Sequence, residues 1–81
     1  MRKSYQNIVA EAREHHIYVT GPNRNGYIQF EVFDGTILAW MVKHDGRTWQ
    51  GFTSEPGATG TKKGTKAVVA DWCLDWAVNG F

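Results

Sequence analysis

Two Asp-Gly dipeptides constrain the fold of this chain more than any other feature of its sequence. Asp34-Gly35 and Asp45-Gly46 each stand between segments rich in β-branched and aromatic residues. Asp-Gly is a strong signal for a two-residue hairpin loop, because a type I′ turn needs positive φ at both central positions. The segments YIQFEVF, TILAWMVKH and RTWQGFT are therefore predicted to form a three-stranded antiparallel meander.

The segments on either side of the meander predict two helices and one further strand. From Ser4 to His15 the apolar residues follow the i, i+3, i+4, i+7 spacing of an amphipathic helix, with Ser4 as its N-cap. A β-branched run predicts a first strand from Ile17 to Thr20. A loop is expected from Ser54 to Gly60, and a second helix from Thr61 to Val78.

Length and composition predict a single domain that spans residues 1–81. A chain of 81 residues is just long enough to bury one hydrophobic core. Hydrophobic residues make up 42% of it, which is typical of a globular protein and not of a disordered one. The expected fold class is α+β: a two-layer domain, α-β-β-β-β-α, with an antiparallel meander and both helices on one sheet face.

Charge and cysteine content indicate a cytoplasmic protein. The formal net charge of +1 gives no overall positive field, so any binding of nucleic acid has to depend on a local patch. A lone Cys73 cannot form an internal disulfide, which fits a reducing compartment. No stretch has the apolar length of a signal peptide or a membrane span, so no membrane contact is expected.

The two Asp-Gly loops also predict the register of the strands, which decides which side chains share a face. If each dipeptide forms a two-residue loop, Ile28 lies opposite Met41 and Val42 lies opposite Trp49. A register slip of one residue would exchange the two faces. The side chains predicted to lie under the helices are Ile28, Phe30, Val32, Ile37, Ala39, Met41 and Phe52.

The opposite face of the predicted sheet is open to water, since both helices lie on one side. A cluster of exposed aromatic residues usually marks an interaction surface, and Trp and Tyr are frequent in protein contacts. A surface for another protein, or for a second copy of the chain, is therefore predicted. The alternative is that a segment of the chain folds over this face and buries it. The residues of the predicted protein-contact surface are Tyr27, Phe33, Leu38, Trp40, Val42 and Trp49.

Three lysines stand at the start of the predicted second helix, in the stretch GTKKGTKAVVADWCLDW. A helix N-terminus attracts anions through its dipole and its free backbone amides. Lys62, Lys63 and Lys66 are therefore placed as expected for a phosphate contact. The alternative is a solvated helix start that binds no ligand.

Part of the chain resembles the double-stranded-RNA-binding domain. The segment TKKGTKAVVADWCL is similar to that family's second helix, which opens with Ser/Thr-Lys-Lys after a glycine, and GPNRNGYIQFEVFDG is similar to its Gly-Pro loop and following strand. The family has three strands where four are predicted here. Its members read RNA shape through phosphate and minor-groove contacts. The resemblance implies Lys62, Lys63 and Lys66 as phosphate contacts, and Pro22, Asn23 and Arg24 at the minor groove.

Two further interpretations involve the whole domain or its sheet face. In size and in its helix-plus-meander domain, the chain resembles accessory proteins of bacteriophages, some of which bind and modulate host proteins. The sheet face also offers Tyr27, Trp40 and Trp49 for the stacking of single-stranded bases.

The sequence predicts no catalytic residues, no metal ligands and no cofactor. His15 and His16 are neighbours at a helix end and so point apart, which makes a poor metal pair. Cys73 lies on the apolar side of the second helix, where a small buried residue is expected. The leading expectation is a non-enzymatic binding module that acts by protein contact or homodimerisation. The alternative is a divergent double-stranded-RNA-binding domain that uses Arg24 and the three lysines.

Overall fold

The chain folds as a helix, an antiparallel meander and a second helix, which confirms the predicted α+β class. The computed structural model describes residues 3–53 and 61–79. Within these ranges the sheet has five strands in the order β1-β2-β3-β4-β5, so sequence neighbours are also neighbours in space. The elements are α1 (Tyr5–Glu14), β1 (Tyr18–Thr20), β2 (Ile28–Glu31), β3 (Ile37–Asp45), β4 (Thr48–Thr53), β5 (Thr61–Gly64) and α2 (Lys66–Asn79).

Local signals in the sequence set both ends of α1. The Ser4 side chain accepts a hydrogen bond of 3.1 Å from the Asn7 backbone N–H, as predicted for an N-cap. At the other end His16 takes a left-handed conformation, with φ of 62°. The Ile17 N–H then donates to the Ala12 carbonyl at 2.9 Å, and the His16 N–H donates to the Arg13 carbonyl at 3.0 Å. This pair of bonds is a Schellman motif, which ends the helix and turns the chain into β1.

The first Asp-Gly dipeptide lies in a three-residue loop, closed by a bond of 3.0 Å from the Val32 N–H to the Thr36 carbonyl, and not in the predicted two-residue loop. The predicted register between β2 and β3 is nevertheless present away from the loop. Ile28 lies opposite Met41. At the loop, Gly35 has φ of 89° and the Thr36 N–H donates to Asp34 Oδ1 at 2.9 Å. The register shifts between Phe30 and Glu31, however, so that Glu31 lies opposite Ile37. This irregularity changes which side chains at the start of β3 face the helices.

The predicted register between β3 and β4 is wrong by one residue. Val42 lies opposite Gln50, and not opposite Trp49. The two residues that join the strands are Gly46 and Arg47, one position later than the dipeptide Asp45-Gly46, and the register also shifts between Lys43 and Asp45. Because side chains alternate along a strand, this slip exchanges the two faces of β4.

The start of the predicted second helix forms a strand instead. Thr61–Gly64 is β5, which pairs antiparallel with β4 along the edge of the sheet. The helix begins at Lys66, after Thr65, whose side-chain oxygen accepts a bond of 3.3 Å from the Val68 N–H. The predicted loop from Ser54 to Gly60 lies outside the described residues. The described part of the chain thus has five strands where four were predicted.

One hydrophobic core lies between the sheet and both helices, which confirms that the helices share one sheet face. The closest approach is at Gly51, where a Cβ would lie 2.9 Å from Val69 Cγ1 and 3.0 Å from the Trp72 ring. Only a residue without a side chain lets α2 lie this near to β4. The buried apolar residues are Ile8, Ala12, Ile17, Ile28, Phe30, Ala39, Met41, Val69, Ala70, Cys73 and Leu74.

Candidate functional site: the open face of the sheet

The sheet face opposite the helices, here called the open face, has an aromatic pair at its centre. Trp40 on β3 lies directly opposite Phe52 on β4. Their ring centroids are 6.1 Å apart and the ring planes are inclined by 25°, which is an offset-stacked arrangement. Both side chains are half-buried. The pair therefore leaves aromatic surface facing solvent in the middle of the sheet.

Apolar side chains beside this pair form a shallow depression. It has a volume of about 250 Å³ and is lined by Tyr27 and Ile37 together with Trp40, with the polar Asn23 and Gln29 at its margin. Val42 follows on the same face, since it lies one pleat along β3 from Trp40 and opposite Gln50. The residues Tyr27, Ile37, Trp40, Val42 and Phe52 are called the aromatic patch below.

The connection between β1 and β2 holds Tyr27 in place. Asn23 Oδ1 accepts hydrogen bonds from the backbone N–H groups of Asn25, at 2.9 Å, and Tyr27, at 3.0 Å. The Asn23 N–H donates in turn to the Tyr27 carbonyl at 2.9 Å. A Cβ on Gly26 would lie 4.0 Å from Val42 Cγ2, so the connection packs beside β3. Tyr27 is thus positioned by backbone bonds before the first residue of β2.

The polar residues around the aromatic patch are uncharged near its centre and charged at its sides. Gln29 on β2 and Gln50 on β4 contribute amide groups. Glu31 lies on the β1 side, where its Oε2 accepts a bond of 2.9 Å from the Thr20 hydroxyl. Lys63 lies on the other side, on β5, opposite Gln50. The open face therefore carries the negative Glu31 and the positive Lys63 on opposite sides of an apolar centre, with a second carboxylate, Asp45, opposite Thr48 at the start of β4.

The structure brings together part of the predicted protein-contact surface. Tyr27, Trp40 and Val42 share the open face, as predicted. Leu38 and Trp49 do not: both are partly buried against the core, so their predicted place on the open face is wrong. Their places are taken by Ile37 and Phe52, which were predicted to lie under the helices. The shift at β2–β3 explains the first exchange, and the slip at β3–β4 explains the second.

Phe33 lies apart from the aromatic patch. It is in the connection between β2 and β3 and is 88% exposed. It is therefore a solvent-facing aromatic residue, as predicted, but it does not belong to the sheet surface.

The predicted nucleic-acid residues do not gather at the helix start. Lys62 and Lys63 are consecutive residues of β5, so their side chains leave opposite sides of the sheet. The Lys66 Nζ lies 4.2 Å from the centroid of the Tyr5 ring and 5.3 Å from that of Trp49, which are cation–π distances. Arg24 is exposed in the connection between β1 and β2. A helix N-terminus that carries three lysines is therefore not formed.

The single thiol is held in an unreactive state. Cys73 is buried on α2, and its Sγ lies 3.8 Å from the Trp40 carbonyl oxygen. Burial raises the pKa of this thiol to about 12. The thiolate, which is the nucleophile, is therefore scarce at neutral pH.

The residues that the structure describes contain neither a metal-binding cluster nor a helix that could span a membrane. Among residues 3–53 and 61–79, no three His, Cys, Asp or Glu side chains come close enough together to hold a metal ion. Neither described helix has both the length and the apolar character that crossing a membrane requires.

Comparison with known proteins gives no relative from which a function could be transferred. No family model, no curated protein and no solved structure matches the chain. The resemblance to the double-stranded-RNA-binding domain and the likeness to phage accessory proteins therefore stay predictions.

Proposed function

We propose that this protein is a small non-enzymatic binding module that acts by protein contact through its open face. The observation that carries the proposal is the stacked pair of Trp40 and Phe52 on a face on which neither described helix lies. Contiguous apolar patches on a small domain usually mark interaction sites, and aromatic residues contribute most to the energy of such contacts. A more specific form of this proposal is that the module modulates a host protein by contact through the same face.

The partner that fits the open face best is a second copy of the chain. A two-fold dimer interface brings the same surface together twice, so the surface has to be complementary to itself. Glu31 and Lys63 satisfy this condition, because they carry opposite charges on opposite sides of the aromatic patch. Two such faces would stack as in a β-sandwich, at about 10 Å, with the patch of each copy against the other.

The edges of the sheet are poorer candidates for self-association. β1 has three residues and β5 has four, which gives few free backbone groups for pairing with another strand. β5 also carries Lys62 and Lys63, and lysines on an edge strand oppose pairing with a further strand. Contact through the face therefore has better support than contact through an edge.

Sedimentation equilibrium over a range of protein concentrations tests the proposal. The native chain is expected to be a dimer, and Trp40→Ala is expected to raise the dimer dissociation constant about tenfold or more. Phe33→Ala is the matched control, since it removes an exposed aromatic residue outside the open face. It should leave the constant unchanged.

A second variant tests the interface without removing a large side chain, so that weaker dimerisation cannot be explained by unfolding. Gln29→Lys places a charge at the margin of the aromatic patch without removing apolar packing, and it should also weaken the dimer. Thermal unfolding of each variant confirms that it is folded. A native chain that remains monomeric at all concentrations overturns the second copy as partner, and equal weakening by Phe33→Ala overturns the open face as the contact surface.

A further inference from the structure

The topology gathers several element ends at one end of the sheet. In an antiparallel meander every second connection lies at the same end, so the β1–β2 connection and the β3–β4 connection are neighbours. The start of α2 is there too, because Gly64, shortly before it, lies opposite Trp49 at the start of β4. The start of α1 joins them through the contact between Tyr5 and Lys66. This end of the molecule is called the α2-start end.

Basic side chains are concentrated at one end of the sheet and acidic side chains at the other, although the chain is almost neutral overall. In the described ranges, the ionised side chains at or near the α2-start end are Arg24, Lys43, Arg47, Lys62, Lys63 and Lys66, together with the carboxylate of Asp45, whereas Lys3 lies with Glu11 and Asp71 on the helix layer. Those at the opposite end are Arg13, Glu14, Glu31, Asp34 and Asp75. The formal net charge of +1 therefore hides a basic end and an acidic end.

Among the basic side chains that make no contact of their own in the described ranges, three lie in or beside the connections at the α2-start end, while Lys62 and Lys63 lie within β5. Lys3 pairs with Glu11 at 2.6 Å, and the Lys66 ammonium lies over two aromatic rings. By contrast, Arg24, Lys43 and Arg47 are exposed. Their side chains have no ion pair or hydrogen bond within the part of the chain that the structure describes. They come from the β1–β2 connection, the end of β3 and the β3–β4 connection.

We infer that the α2-start end binds the phosphodiester backbone of a nucleic acid, with Arg24, Lys43 and Arg47 as the phosphate contacts. The β1–β2 and β3–β4 connections lie two strand spacings, about 10 Å, apart, so the cations on them can reach phosphates along a stretch of about three nucleotides. Two of the three are arginines, whose planar guanidinium suits phosphate oxygens. This surface differs from the lysine cluster that the sequence predicts, and it does not depend on the open face as a contact surface.

A membrane surface fits this end less well than a nucleic acid does. Binding to anionic lipid usually combines basic residues with apolar side chains that enter the bilayer. The exposed large apolar residues in the described ranges, Tyr18, Phe33 and Val78, all lie towards the opposite end of the sheet. The α2-start end thus offers charge without an apolar side chain to insert.

Fluorescence anisotropy with a labelled oligonucleotide, as a single strand and as the matching duplex, tests the inference. Three phosphate contacts predict that the binding constant falls about 20- to 40-fold between about 50 mM and about 200 mM salt. Similar affinity for the two forms is expected, because contacts to the backbone do not read bases. Absence of binding at about 50 mM salt overturns the inference.

Charge-removing variants locate the site. Arg24→Ala combined with Arg47→Ala should leave about one third of the salt dependence, and Lys43→Ala alone about two thirds. Arg13→Ala is the matched control, since it removes an exposed arginine at the opposite end. It should leave binding unchanged; an equal loss in this variant would mean that net charge alone decides binding, against the inference.

Competition with two other polyanions tests whether the site is specific for a phosphodiester backbone. Sedimentation of the variants tests whether nucleic-acid binding and dimerisation are independent. Polyglutamate or phosphatidylserine vesicles that displace the oligonucleotide at matched charge concentration would contradict a phosphodiester site. The arginine variants should dimerise as the native chain does, because neither arginine belongs to the aromatic patch. A monomeric chain that binds the oligonucleotide would therefore overturn only the dimer.

Discussion

Gly51 on β4 lies so close to Val69 on α2 that a methyl group at position 51 would lie 2.9 Å from Val69 Cγ1. Gly51→Ala is therefore expected to push α2 away from the sheet and to lower the free energy of unfolding by about 1–3 kcal/mol. Chemical denaturation measures this change. Gly46→Ala is the matched control, since a Cβ there meets no atom within 4 Å, and it should change stability by less than about 0.5 kcal/mol. Equal stability of the Gly51→Ala variant and the native chain would contradict the close packing.

The buried thiol predicts a specific dependence of stability on pH. Burial raises the pKa of Cys73 from 9.0 to about 12, so above pH 9 the unfolded chain loses a proton that the folded chain keeps. The contribution to stability is complete below the unfolded pKa. It is lost as pH rises towards the folded pKa, by up to about 1.4 kcal/mol for each pH unit.

The measurement is chemical denaturation of the native chain and of Cys73→Ala between pH 8 and pH 11. Other groups titrate in this range in both proteins, so the difference between the two slopes isolates the thiol. The native chain should lose stability more steeply. Parallel curves would show that the thiol is exposed in the folded chain.

The position of Lys66 predicts a structural role for this side chain. Its ammonium lies over the rings of Tyr5 and Trp49, and so it joins the starts of both helices to β4. Lys66→Ala should lower the free energy of unfolding by about 0.5–2 kcal/mol through the lost cation–π contacts. Lys62→Ala on the exposed edge strand is the control and should change it by less than about 0.5 kcal/mol. The two losses would be equal if Lys66 were only a solvated charge.

Local signals were enough to predict much of the fold. The N-cap at Ser4, the apolar spacing of α1 and the Asp34-Gly35 loop all depend on residues within a few positions of one another. Ile28 lies opposite Met41 as predicted, although the loop has one residue more than predicted, because the shift between Phe30 and Glu31 compensates for that residue. With this register, Tyr27, Trp40 and Val42 were correctly assigned to the open face.

The errors arise where a distant contact decides the structure. Asp45-Gly46 has the same chemistry as the first dipeptide, but the β3–β4 connection forms one residue later. Gly51 is the signal that could have corrected the register, because a glycine within a strand often marks a close approach of another element. With Gly51 under α2, alternation places Phe52 on the open face and Trp49 on the helix side.

The edge strand could not be predicted from its own residues. The sequence Thr61-Lys62-Lys63-Gly64 has no apolar alternation, and it is a strand because β4 offers it a free edge. Its lysines were therefore assigned to a helix, and the helix start with three lysines that was predicted to bind phosphate is not formed.

The sheet is a single backbone layer between the core and the open face. Cys73 Sγ contacts the carbonyl oxygen of Trp40, whose ring lies on the other side of the same strand. Any partner that binds the ring favours the closed state of that strand, and so slows every opening that would uncover the sulfur. The rate at which a thiol reagent modifies Cys73 therefore reports how much of the open face is covered by a partner. The measurement needs no label on the surface of the protein.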